Sequence, residues 1–115
     1  MTERMRRVNE AIREALAQAV GDLKDPRIGF VTVTGVDTTP DLREARVYVS
    51  VLGSERKREA TLEGLASAHG VLQSRIADGL RLKRTPRLAF EYDRSVDYGV
   101  RMSQLIDEHA PDDPS

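Results

Sequence analysis

At 115 residues the chain is sized for one domain, which buries roughly two-thirds of the surface its unfolded chain exposes, enough for one core without staples. It contains no Cys, which excludes disulfides, thiolate metal sites and Cys nucleophiles, and no stretch has the apolar length of a membrane span or a signal-peptide core, so a cytoplasmic protein is expected. The 18 basic and 19 acidic residues nearly cancel, a balance that by itself argues against nucleic-acid binding.

In chain order, Val8, Ile12, Leu16 and Ala19 fall on one stripe of a helix, with Ala15, Val20 and Leu23 beside them, which predicts a helix from Thr2 to Leu23. It should stop before Asp25-Pro26, because the residue preceding a proline disfavours helical geometry. In FVTVTGV, valines at 31 and 33 alternate with Thr32 and Thr34, predicting a half-buried strand with Gly35 as a candidate bulge. The turn-rich run DTTPDL follows. Ala45, Val47, Val49 and Val51 then alternate with Arg46, Tyr48 and Ser50 as a second strand, which should pair antiparallel with the first.

Ser54 is a candidate cap for a helix whose apolar stripe is Leu62, Leu65, Ala66 and His69. Gly70 interrupts it, and a second stripe of Leu72, Ile76 and Leu80 resumes at once, so the chain is expected to bend at Gly70 rather than leave. A third strand follows Thr85-Pro86, with Leu88, Phe90 and Tyr92 on one face. The segment from Ser95 to His109 suits a short helix, and residues 107–115 form an acidic, proline-bearing tail expected to be disordered. The order α-β-β-α-kink-α-β predicts an α+β domain over residues 1–106, a three-stranded mixed sheet with helices packed on one face.

The charge is not evenly spread. Between Arg75 and Arg87 stand five cations, Arg75, Arg81, Lys83, Arg84 and Arg87, against Asp78 alone, whereas the tail carries Asp107, Glu108, Asp112 and Asp113 with no Lys or Arg. Such a cluster suits phosphate contact, since cationic side chains release counterions from an RNA backbone without reading its sequence. The bland alternative is a solvated helix end, where cations also complement the helix dipole. Arg6 and Arg7 are weaker candidates beside Glu3 and Glu10. His69 reads as a packed or half-exposed residue rather than a metal ligand, Asp25-Pro26-Arg27 as turn chemistry, and Tyr48, Tyr92 and Tyr98 as packing. The chain shows no Gly-rich phosphate loop, nucleophile elbow, HExxH run or paired carboxylates in an apolar setting, so an enzyme is not expected.

The run KDPRIGFVTVTGVDTTPDLREARVYVSVLG, the trio Ala68-His69-Gly70 and the end RLKRTPRLAFEYDRSVDYGVRMSQLI resemble the ribosome-binding factor A family, over about Val8 to Ile106. The resemblance implies a type II KH-like fold in which the interhelical kink, Ala68, His69 and Gly70, stands where RNA-binding KH domains carry a GXXG loop. It also implies binding to the small ribosomal subunit and its ribosomal RNA late in maturation, without cofactor or catalytic activity; a monomer with no metal and no small-molecule substrate is expected. On that basis Arg75, Arg81, Lys83, Arg84 and Arg87 are the expected RNA contacts. Gln73 and Asp78 depart from the basic residues that some family members carry there, leaving this helix less positive. The alternative is a protein-interaction adaptor that uses the sheet edge or face, its cations serving only solubility.

Overall fold

The chain enters its first helix through Thr2, whose extended backbone lets its hydroxyl accept the Met5 N–H at 3.1 Å and satisfy an orphan donor of the first turn. The structure, a computed structural model, describes residues 2–95. Helix α1 spans Glu3–Gly21, slightly shorter than its apolar pattern, with Asp22 as its cap. Ile12, Leu16, Ala19 and Val20 are buried, and on the outer side Arg6 pairs with Glu3 and Arg13 with Glu10. The turn that follows is built by Asp25, whose carboxylate accepts the Arg27 N–H at 2.9 Å and whose carbonyl accepts the Ile28 N–H at 3.0 Å.

Strands β1, Val31–Thr38, and β2, Glu44–Val51, pair antiparallel. Register passes from Val33↔Val49 to Gly35↔Tyr48, so Thr34 is the extra residue of a bulge. Asp37 and Thr38, which the sequence assigns to a turn, continue β1 instead. They lie opposite Arg46 and Ala45, and the buried side chain of Asn9 accepts the outward Thr38 N–H at 2.9 Å. That bond satisfies an edge donor which a turn would have left to water.

Helix α2, Glu55–Ser67, starts where the Ser54 hydroxyl accepts the Lys57 N–H at 3.2 Å. Its buried residues are Thr61, Gly64 and Leu65, while Ala66, expected on the apolar stripe, is exposed. The rotation has a cause in the lead-in to β1: a Cβ on Gly64 would lie 2.6 Å from Cγ1 of Ile28, and the Thr61 hydroxyl accepts the Gly29 N–H at 3.3 Å. Helix α3, His69–Leu80, begins after a joint of one residue, Ala68, at φ −88° and ψ 6°. The bend therefore sits at Ala68 and not at Gly70, which lies in the first turn of α3 with nothing within 4 Å of an added Cβ. Because Ala68 N–H still reaches Gly64 O and Leu72 N–H reaches Ala68 O, both at 3.0 Å, the helical ladder crosses the joint without needing a left-handed residue.

Strand β3, Arg87–Tyr92, pairs parallel with β2 from Glu44↔Arg87 to Val49↔Tyr92, giving the sheet order β1-β2-β3. The helices cover the face carrying Ala45, Val47, Val49 and Leu88, and with Leu65, Leu72 and Ile76 these residues form one core. The architecture is the expected α+β, type II KH-like one. The expected C-terminal helix beyond Ser95 and the tail 107–115 lie outside the described residues.

Candidate RNA interface

Between α3 and β3 the chain is anchored at two apolar points, Leu82, packed against the core, and Pro86, buried. Arg81, Lys83, Arg84 and Arg87 alternate with these anchors and are all exposed, so the inward pull of Leu82 and Pro86 is what turns the four cations outward together. Arg81 ends α3 in the left-handed region, φ 48° and ψ 38°, a conformation that costs a residue with a Cβ roughly 1 to 2 kcal/mol. Among the described residues none of these four takes part in an ion pair.

Arg75, the fifth expected contact, is not in this group's position. Its guanidinium donates to the Asp22 carboxylate at 3.0 Å, tying α3 to the end of α1. Sequence reasoning missed Arg43, which the hairpin brings beside β3: its carbonyl accepts the Arg87 N–H at 2.8 Å, and among the described residues its exposed side chain makes one ion pair, a long 3.8 Å contact with Asp41. Nothing local could reveal that neighbour, because it depends on the parallel pairing of β2 with β3.

Gln73 also has a part that its charge-based reading did not contain. Its Nε2 donates to Pro86 O at 2.7 Å and its Oε1 accepts the Leu88 N–H at 3.0 Å. One turn earlier, His69 Nε2 lies 2.9 Å from Leu88 O, which makes Nε2 the protonated nitrogen and the donor. The kink and α3 thus hold the start of β3 by its backbone. His69 is half-buried, and among the described residues no group of three or more His, Asp or Glu side chains could hold a metal ion.

Other charged and aromatic groups are engaged within the domain. Arg27 holds the Asp25 carboxyl below its ordinary value, and the Thr39 hydroxyl with the Arg43 N–H does the same for Asp41. Asp93 is lowered by the Ser95 and Thr34 hydroxyls, the latter donating at 2.7 Å from the bulge of β1. The Arg58 guanidinium stands 3.7 Å from the centroid of the Tyr92 ring. At the other end of the sheet Phe30 and Leu52 are 82% and 75% exposed, joined by a 3.0 Å bond from Leu52 N–H to Phe30 O.

The family model of ribosome-binding factor A matches residues 4–106, nearly the whole chain. The chain belongs to the ribosome-binding factor A family. Among solved members of that family, the crystal structure from Thermus thermophilus superposes with a TM-score of 0.72 at 31% identity, covering 79% of this chain and 97% of that one. The solution structure of a protein from Thermotoga maritima, described as a putative ribosome binding factor A, gives 0.71 at 37% identity, covering 77% and 86%. A homology model of the Thermus thermophilus factor, fitted into a cryo-electron microscopy map of its 30S complex, gives 0.64 at 32% identity, covering 75% and 91%. The chain is therefore a ribosome-binding factor by family.

Proposed function

We propose that this protein is a non-catalytic, monomeric, cytoplasmic RNA-binding factor for late maturation of the small ribosomal subunit, docking on free or immature small subunits through their ribosomal RNA. One observation carries the reading: Arg81, Lys83, Arg84 and Arg87 face solvent at one end of the sheet and take part in no ion pair among the described residues. Unpaired cations on a short, anchored segment gain most from phosphates, because no intramolecular pair has to be broken first. Arg43 extends the same surface, and the fitted 30S complex of the Thermus thermophilus relative supports the choice of subunit. No cofactor or small-molecule substrate enters this function.

Sedimentation with immature small subunits, mature small subunits and large subunits at two salt concentrations tests it. Salt-sensitive comigration with small subunits, stronger for the immature form, is the expected result; absence of comigration at low salt would overturn the proposal. A second reading, a protein contact, is favoured by the exposed Phe30 and Leu52. It predicts that Phe30→Ser with Leu52→Ser weakens subunit binding at every salt concentration while leaving its salt slope unchanged.

A further inference from the structure

Among the described residues strand β3 lies at the edge of the sheet, yet three backbone groups on the side away from β2, the O of Pro86 just before the strand and the N–H and O of Leu88, are occupied by side chains of α3. The Arg87 N–H points inward to Arg43 O, so Pro86 O and Leu88 N–H point outward, away from β2. Leu88 is only 2% exposed, and its N–H would lose water there without replacement. The Gln73 carboxamide supplies the replacement by donating to Pro86 O and accepting from Leu88 N–H, the two bonds that a residue of a parallel neighbouring strand would make. A carboxylate has no donor for Pro86 O, and an ammonium or guanidinium has no acceptor for Leu88 N–H. His69, four residues earlier on α3, takes Leu88 O.

We propose that Gln73, assisted by His69, is a positioning residue: standing in for a fourth strand, it clamps Pro86–Leu88 and so sets the common direction of Arg84 and Arg87 toward RNA. This rests on the RNA-binding reading above. Without the clamp the segment from Arg81 to Arg87 keeps its charge and its Leu82 anchor but loses its fixed exit into β3. Affinity then falls, whereas the number of phosphates neutralised, and with it the salt slope, stays the same.

Two variants of the full chain test this. Gln73→Met keeps the volume and removes both bonds; it should bind small subunits roughly tenfold more weakly, the loss expected for one or two ordered hydrogen bonds, with the parent's salt slope and faster hydrogen exchange at the Leu88 amide. Gln73→Glu cannot donate to Pro86 O at neutral pH, but once protonated its O–H donates and its carbonyl accepts. Its affinity relative to the parent should recover as pH is lowered from about 7 to 4, through the ordinary carboxyl range near about 4.3, a profile that Gln73→Met lacks. A folded Gln73→Met variant with an unprotected Leu88 amide and parental affinity would overturn the proposal. So would a Gln73→Glu variant equally weak across that pH range, which decides the matter if Gln73→Met does not fold. Should the parent itself not comigrate with small subunits, the RNA-binding reading fails, while Leu88 exchange in the two variants still reports on the clamp.

Discussion

Replacing Arg81, Lys83 and Arg84 together by Ala removes three of the four exposed cations between the end of α3 and the start of β3, and the size of the effect follows from counterion release. Each phosphate contact contributes about 0.7 to 0.9 to the slope of log affinity against log salt, so the triple variant should lose about 2 to 3 units of slope. Between 50 and 200 mM salt the ratio of parental to variant affinity should therefore shrink by roughly 20- to 40-fold. Arg75→Ala is the internal control: its guanidinium is held by Asp22 at 3.0 Å, so its removal should change the slope by less than about one unit and stability by about 0 to 1 kcal/mol. Fluorescence titration of labelled protein against small subunits at four or more salt concentrations gives the slopes. A triple variant with an intact fold and the parental slope would refute the assignment of these residues to phosphate contact.

Three further outcomes are expected. Arg81→Gly relieves the left-handed strain at φ 48° and should raise stability by about 1 kcal/mol, or roughly 4 to 8 °C in Tm, while lowering RNA affinity; a loss of stability on thermal unfolding would show that the cap carries no strain. Leu72→Ala, at a fully buried position between α3 and the sheet, should cost about 2 to 5 kcal/mol by urea denaturation, and a cost under about 1 kcal/mol would contradict its place in the core. Asp93 has its folded-state pKa lowered by Ser95 and Thr34, so its contribution is present above the unfolded carboxyl value near about 3.9 and is lost as pH falls through the lowered folded value. The stability difference between parent and Asp93→Asn should accordingly shrink below about pH 4, and curves that stay parallel down to pH 2 would count against the Thr34 and Ser95 contacts.

The elements themselves were legible because their signals are local. Thr2 and Ser54 cap through residues three positions away, the valines of β2 alternate within one strand, and Leu72 with Ile76 marks the inner face of α3. The antiparallel hairpin, a bulge next to Gly35 and the parallel third strand followed from the same short-range patterns joined to simple rules of connection. Family resemblance carried the functional reading, and the cluster of cations near the end of α3 was visible as composition.

What tertiary structure decided is every assignment that depends on a partner distant in the chain. The bend falls at Ala68 rather than at the more permissive Gly70 because α2 is turned by Gly64 and Thr61 against residues 27–29, a packing that no local propensity encodes. Arg75 is taken by Asp22, 53 residues before it, and Arg43 joins the basic end only through the pairing of β2 with β3. Gln73, which as a sequence letter is merely a missing charge, becomes a clamp once α3 lies along the edge of β3. Periodicity and caps report which residues face inward, because those preferences act within a turn or a strand; which polar groups meet is set by the docking of whole elements, and so appears only when the chain is folded.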